Sequence, residues 1–329
     1  MAQRPQGIAT ADCFRVETHN LTAPAAGEVQ VAVEYLSVDA GMRTMLEGEG
    51  FHAQVGLNDP ISAAGVGRIV ASNAAGWEPG QAVLAGMGAQ SRVNLPIAAL
   101  TRIEETVGSK PLPLRAHLGA LAPATGITAW IGMRCVAKPR ADDLFVVSAA
   151  AGAVGSIAAQ IAKKAGARVI GIAGGSRKTD YLLDQLGLDG AIDYKAEPVG
   201  ERLRQLAPNG VNGFFDNVGG DVLDGVLDNL ALHARVTICG AVSQYNNMNH
   251  IVGPSAYLRL AERQAVMEGY AYFHFPEQFG KATKELSTWL ADGSLILAEE
   301  VLEGIERYPT ALEFMFRGGN LGKLLVKVA

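Results

Sequence analysis

The chain is poor in cysteine, histidine, aromatic residues and charged surface of one sign, and each shortage removes a class of protein. Its three cysteines, Cys13, Cys135 and Cys239, are spread over 329 residues with more than a hundred positions between neighbours, so no disulfide framework or paired-cysteine metal knuckle is visible. That usage fits a reducing compartment. The six histidines, His19, His52, His117, His233, His250 and His274, form no HExxH motif and no cluster. A catalytic zinc needs three converging ligands, and no metal is expected. Aromatic residues make up 6% of the chain, and 28 Lys and Arg stand against 33 Asp and Glu, a net charge of -5. A nucleic-acid surface would need the opposite balance.

Long apolar runs are also scarce. The nineteen uncharged residues from Leu144 to Ala162 approach the length of a membrane-spanning helix, but they are largely alanine, interrupted by Ser148, Ser156, Gln160, Gly152 and Gly155. Alanine is close to neutral on insertion scales. The opening "MAQRPQGIATADCF" has no charged segment leading into an apolar one, and a soluble cytoplasmic protein without membrane attachment is expected.

What is present is a large core fraction, 49% hydrophobic, on a length that suits two domains. The first hundred or so residues read as short strands: "FRVETHN", "EVQVAVEYLSVDA", "AGVGRIVASN", "GQAVLAG" and "SRVNLP". From Asp142 the pattern alternates. Strand-like "LFVVSA", "ARVIGIA", "GAIDY", "NGFFDNV", "ARVTICG" and "VMEGYAYF" are separated by helical stretches such as "SIAAQIAKKAG" and "KTDYLLDQLG". Such alternation implies an α/β fold, a doubly wound parallel sheet with helices on both faces. A helix at "FGKATKELSTWLADG", a strand at "ILAEEVLEG", a helix at "YPTALEFMFRGG" and a last strand at "GKLLVKV" close the chain. Boundaries are expected near Leu118 and Leu290: 1–118 with 291–329 as a β-rich, partly barrel-like domain, and 119–290 as a Rossmann domain.

Within the uncharged run, Ala150-x-Gly152-x-x-Gly155 follows a strand and opens a helix. In a dinucleotide fold such small residues make the turn, admit a pyrophosphate and let helix and strand pack closely. The helix N-terminus then attracts the phosphates. Ala150 stands where the strict fingerprint has glycine, and tight packing alone is the competing explanation. The second strand ends "GIAGGSRK", without the acid that an NAD site places on the ribose hydroxyls. Ser176, Arg177 and Lys178 instead suit a 2′-phosphate through charge-assisted hydrogen bonds, although a solvated helix start would carry the same residues. NADP(H) is the expected cofactor.

In these features the chain resembles the zinc-free branch of the medium-chain dehydrogenase/reductase superfamily, in particular the leukotriene B4 12-hydroxydehydrogenase and prostaglandin reductase group with its curcumin and alkenal double-bond reductases. The segments that carry the resemblance are "SVDAGMR", "GVGRIVAS", "TGITAW", "VVSAAAGAVGS", "GIAGGSRK", "DYK", "FFDNVGG", "ICGAVSQYN", "VMEGY" and "GGNLGKLLVKV", in order over nearly the whole length. It implies a GroES-like first domain. It puts Gly152 and Val154 against the pyrophosphate, and Ser176, Lys178 and Tyr194 on the 2′-phosphate, with Ala153 and Gly174 among the cofactor-binding residues. Thr125, Asn217, Cys239, Gly240, Tyr270 and Asn320 are implied around the rest of the cofactor, and Tyr245 is implied as the group facing the substrate carbonyl. Cys239 has no basic cluster nearby and reads as a packing residue rather than a nucleophile.

Two departures bear on specificity. Ala40-Gly41 precedes Met42-Arg43 where relatives usually have Pro-Tyr, and Glu262 stands where some prostaglandin reductases have tyrosine. Both imply a cleft unlike that of eicosanoid reductases. The expected activity is NADPH-dependent reduction of the C=C bond of an enone or enal by hydride transfer to the β-carbon. The alternatives are a quinone reductase and a non-catalytic NADPH-binding protein. The segment "VMEGYAYF" is expected at a sheet edge, where a bare strand invites pairing, and a homodimer is expected.

Overall fold

The structure, a computed structural model, describes residues 1–47 and 54–328, and His52 lies outside the described residues. Contacts divide the chain into two units: Met1–Ala122 with Glu299–Ala329, and Pro123–Ala298. Both breaks fall C-terminal of the sequence expectation for identifiable reasons. Leu114 and Leu118 pack with Val66, Ala82 and Leu325 and so stay with the first unit. The segment after the last helix of the second unit is held there by Gln160, whose Nε2 donates to the Ile296 carbonyl (2.7 Å) and whose Oε1 accepts from the Ile296 N–H (2.8 Å).

The first unit begins with β1 (Glu28–Val38), in which Val29, Val31 and Val33 alternate into the core, as a half-buried strand requires. The short helix α1 (Met42–Met45), β2 (Ala64–Ser72), β3 (Ala82–Gly86), β4 (Arg92–Pro96) and β5 (Thr101–Arg102) follow, then a hairpin of β6 (Thr106–Val107) and β7 (Lys110–Pro111). "FRVETHN" is not a strand. Its side chains are mostly exposed, Val16 at 63%, so its β-prone composition has neither a partner nor a face to bury.

The second unit opens with helical turns over residues 123–137, including α2 (Thr128–Ile131), a segment that the sequence reading left unassigned. β8 (Leu144–Ser148) leads through a tight turn into α3 (Ala153–Lys164), then come β9 (Arg168–Ala173), α4 (Ser176–Asp180), β10 (Gly190–Asp193), α5 (Val199–Leu206), β11 (Val211–Asp216), α6 (Gly220–Leu227), β12 (Leu230–Ile238), α7 (Leu258–Glu262), β13 (Val266–Gly269) and α8 (Phe279–Asp292). "VMEGYAYF" is a strand only to Gly269, since Tyr272–His274 turn into a 3-10 helix. "KTDYLLDQLG" is α4 followed by a wider turn over Tyr181–Gln185.

Helix α3 shows why the uncharged run belongs inside a soluble core. Ile157, Ala158, Ile161 and Ala162 are completely buried, and each isoleucine contributes roughly 1.5–3 kcal/mol by leaving water. Lys163 and Lys164 fall in its last turn, where the helix dipole favours cations. Gly166, at φ +87°, then closes the helix: its N–H donates to the Lys163 carbonyl (2.9 Å) and the Ala167 N–H to that of Ala162 (3.2 Å), a Schellman ending.

The strands of the second unit are all parallel in the order β10-β9-β8-β11-β12-β13. The chain runs outward from β8 through β9 and β10, then returns to the other side of β8. The crevice between β8 and β11 is therefore a topological switch point, where open α/β sheets bind ligands. The chain finally re-enters the first unit through β14 (Glu299–Glu303), α9 (Tyr308–Phe316) and β15 (Lys323–Lys327). The sheet of that unit runs β14-β15-β1-β2-β3-β5, with β4 also on β1. Its pairs are antiparallel except β14–β15.

Candidate active site

At the switch point β8 ends in Ser148 and the backbone turns sharply. Ala149 adopts a left-handed conformation, φ +46°, which costs a residue with a β-carbon roughly 1–2 kcal/mol. The turn is held by the Gly152 N–H on the Ala149 carbonyl (2.9 Å). A β-carbon on Gly155 would lie 2.3 Å from that same carbonyl oxygen; only glycine lets the first turn of α3 approach the loop so closely. Gly152, Ala153 and Val154 are half-buried at this start, and the first N–H groups of a helix have no intrahelical acceptor. The geometry fits a bound phosphate.

The end of β9 is a second concentration of charge. Tyr194 and Lys195 fold over Gly174, so that a β-carbon there would lie 2.8 Å from the tyrosine ring and 3.0 Å from the lysine Cε. Ser176 and Arg177 are exposed beside them and Lys178 is half-buried. Burial, then the neighbouring Lys195 and Arg177, pull the Lys178 ammonium below its ordinary value. No carboxylate among the described residues forms an ion pair with Lys178 or Lys195. Sequence reasoning missed Asp193 here. Its Oδ1 accepts the N–H groups of Gly175 (2.8 Å) and Lys195 (3.0 Å), and these bonds lower its pKa. That carboxylate shapes the loop that presents the cations. Its position at the end of β10 was the available signal.

At the carboxyl end of β11, Asn217 donates from Nδ2 to the Ser148 carbonyl (2.7 Å), and its N–H donates to the Ser148 hydroxyl (2.8 Å). At the end of β12, Cys239 and Gly240 are half-buried. Burial pushes the Cys239 thiol up to about 12, which leaves it neutral. The Tyr270 hydroxyl donates to the Thr128 carbonyl (2.7 Å) and lies 3.4 Å from the Cys239 sulfur, and burial holds its phenol well above the ordinary value. Thr125 is buried in the turn before α2.

Tyr245 follows a 3-10 turn after β12. Its hydroxyl accepts the Ala241 N–H (3.3 Å) and lies 2.9 Å from where a Gly240 β-carbon would stand. Burial raises its pKa, with the Ala241 hydrogen bond acting in the opposite direction. The phenol is held neutral with its own proton still to donate.

The structure therefore sets the predicted residues of the second unit after the carboxyl ends of β8, β9, β10, β11, β12 and β13, with Thr125 in the turn before α2. Asn320 lies in the first unit, buried before β15, with Nδ2 donating to the Gly322 carbonyl (2.9 Å). Glu262, one of the two specificity departures, is ion-paired on α7 with Arg259 (2.6 Å). Among the described residues no group of three or more His, Cys, Asp or Glu is placed to hold a metal ion, and no helix is long and apolar enough to cross a membrane.

A parallel sheet in this order, with a small-residue turn at its switch point, defines a dinucleotide-binding dehydrogenase fold. Residues 1–103 match the family profile described as the N-terminal domain of oxidoreductase, and residues 153–288 match that described as zinc-binding dehydrogenase. Over 100% of this chain and 96% of its own length, the Bacillus subtilis protein YfmJ, classed as an NADP-dependent oxidoreductase, is 37% identical. Prostaglandin reductase 1 of Oryctolagus cuniculus is 36% identical over 96% of this chain and 89% of its own. The crystal structure of CurA from Vibrio vulnificus in complex with NADPH superposes with a TM-score of 0.91 at 34% identity, covering 100% of this chain and 98% of that one. The chain belongs to the zinc-free enone-reductase group of the medium-chain dehydrogenase/reductase family.

Proposed function

We propose that the protein is an NADPH-dependent reductase of the C=C bond in α,β-unsaturated ketones and aldehydes. One observation carries the choice of cofactor: the half-buried Lys178 stands beside Lys195 and Arg177, and no carboxylate among the described residues forms an ion pair with it. Like charges held side by side repel, and a dianionic 2′-phosphate relieves that repulsion. The residues present fit the group, with Gly152, Ala153 and Val154 toward the pyrophosphate and Gly174, Ser176, Arg177, Lys178 and Tyr194 toward the 2′-phosphate. Thr125, Asn217, Cys239, Gly240, Tyr270 and Asn320 are proposed around the remainder. NADPH, when bound, supplies the hydride.

Tyr245 is proposed as the catalytic residue. Addition of hydride to the β-carbon moves an electron pair from the C=C bond toward the carbonyl oxygen, and a neutral phenol donating a hydrogen bond to that oxygen lowers the barrier. Burial keeps the phenol protonated. Its role is therefore that of a donor to the enolate oxygen, while the α-carbon takes its proton from Tyr245 or from water. The net change is one hydride and one proton added across the double bond.

The free thiols of Cys13, Cys135 and Cys239 suit a cytoplasmic, reducing setting. The exposed edge strand β13 supports a homodimer. The test is a panel of enals, enones and quinones with NADPH oxidation followed optically. Enones and enals are expected to turn over faster than benzoquinone. A purified chain that oxidises NADPH with no activated alkene overturns the assignment.

A further inference from the structure

One buried carboxylate connects two proposed site residues, and no step of the reaction above uses it. Asp216, at the end of β11, is completely buried. Its Oδ1 accepts from the Ser148 hydroxyl (2.7 Å) and the Val218 N–H (3.0 Å), and its Oδ2 accepts from the Gly219 N–H (2.9 Å). These three donors fold residues 216–219 into a turn. The Ser148 hydroxyl, oriented by Asp216, is the acceptor for the Asn217 N–H.

The same turn supports the tyrosine. The Val242 N–H donates to the Asn217 carbonyl (3.0 Å), and the Ser243 N–H donates to the Val218 carbonyl (3.1 Å). The Ser243 hydroxyl adds a second bond to that carbonyl (2.6 Å). Tyr245 completes this segment, its N–H on the Val242 carbonyl (3.4 Å). Asn217 and Tyr245 therefore rest on one turn, and that turn is wrapped around one carboxylate.

We infer that Asp216 is a positioning residue that sets Asn217 and Tyr245 together by holding the turn on which both segments rest. The inference builds on the NADPH reading above. An amide at this position keeps the volume but puts a donor where an acceptor faced an N–H or hydroxyl. A buried unsatisfied group is costly, so the turn shifts to relieve it. Lys178, at the end of β9, is not part of the turn. A carboxylate that served stability alone would give the same proportional loss in every mutant background, whereas one that acts through two residues gives no further loss once those residues are gone.

The experiment compares Asp216→Asn with wild type by fluorescence titration of NADPH and by kcat with NADPH and a simple enone. Asp216→Asn is expected to weaken NADPH binding about ten-fold and to lower kcat about ten-fold. The affinity loss disappears in an Asn217→Ala background and the kcat loss disappears in a Tyr245→Phe background, while both persist in Lys178→Ala. Undiminished losses in all three backgrounds overturn the inference, as does an Asp216→Asn protein with wild-type constants. Ser148→Ala removes one donor to Asp216 together with the acceptor of the Asn217 N–H, keeps the Val218 and Gly219 bonds, and so disturbs the same turn and is read in the same three backgrounds if Asp216→Asn does not fold. Should the wild type bind NADPH yet reduce no enone, the activity reading fails while the affinity measurement still decides the role of Asp216.

Discussion

The β-carbon of Ala150 lies 2.9 Å from where a β-carbon on Gly171 would stand. Ala150 occupies the first small position of the turn, where the strict dinucleotide fingerprint has glycine. Its methyl group is accommodated because the facing residue on β9 is itself glycine. The missing hydrogen atom of the fingerprint has in effect moved to the neighbouring strand. Gly171→Ala would also press on Leu182 and Leu188, at 2.7 and 2.9 Å, and overpacking of this kind costs roughly 1–3 kcal/mol. Ala150→Gly in the same chain restores part of that room. Urea denaturation of the two single variants and the double variant is expected to show a double variant less destabilised than the sum. Strict additivity would mean that the two positions do not share the space.

Lys178 should discriminate between cofactors. A charge-assisted hydrogen bond is worth about 1.5–3 kcal/mol, so Lys178→Ala is expected to raise KM for NADPH about ten- to a hundred-fold and to leave that for NADH nearly unchanged. The pH dependence has a definite sign. The Lys178 pKa lies below the ordinary 10.5, so as pH rises the folded chain releases this proton before the unfolded chain does. Between the lowered value and 10.5 the cofactor-free protein gains stability. NADPH affinity falls as pH rises through that lowered value, because the 2′-phosphate needs the ammonium. Calorimetric titrations with NADPH and NADH across this range check both statements, and equal slopes for the two nucleotides would remove the phosphate assignment.

The parallel sheet was legible because its strands are short apolar runs separated by helices of crossover length, and because Gly152 and Gly155 punctuate the first turn. Residues 14–20 misled because β-prone side chains read alike whether or not a partner strand exists; the structure leaves Val16 in solvent. The helical turns over residues 123–137 escaped notice because they mix α-helical and wider turns, which blurs the 3.6-residue period. At the site, Lys178 and Tyr194 could be named from their neighbours in sequence. Asp193 and Asp216 could not be given roles, since their partners Gly175, Ser148 and Gly219 are brought to them only by folding.

Tyr245→Phe isolates the hydroxyl. The ring keeps its packing beside Gly240, and only the bond from Ala241 and the donor to substrate are lost. A fall in kcat of about ten- to a hundred-fold is expected, with the NADPH dissociation constant unchanged. The raised phenol pKa adds a pH signature. Turnover should persist above the pH at which an exposed tyrosine ionises, about 10. Stopped-flow reduction of an enone at saturating NADPH separates hydride transfer from cofactor binding. An unaltered rate for the phenylalanine variant would reduce Tyr245 to a wall of the pocket.

The edge of the parallel sheet supplies a test of assembly. Among the described residues β13 pairs only with β12, and all four of its residues are exposed, Val266 at 58% and Met267 at 37%. The Tyr270 N–H points inward to the Ile238 carbonyl (3.4 Å). Because N–H groups alternate in direction along a strand, that of Met267 faces the open side. An open row of donors and acceptors, with Val266 on one face of the sheet and Met267 on the other, is a template for a second strand. Two copies joined edge to edge would continue one sheet across a two-fold axis. Sedimentation is expected to give a particle of two chains for the wild type. Met267→Pro removes an outward donor without taking a bond from β12, and should yield single chains that still bind NADPH. A wild-type protein that sediments as one chain at high concentration rules out this assembly.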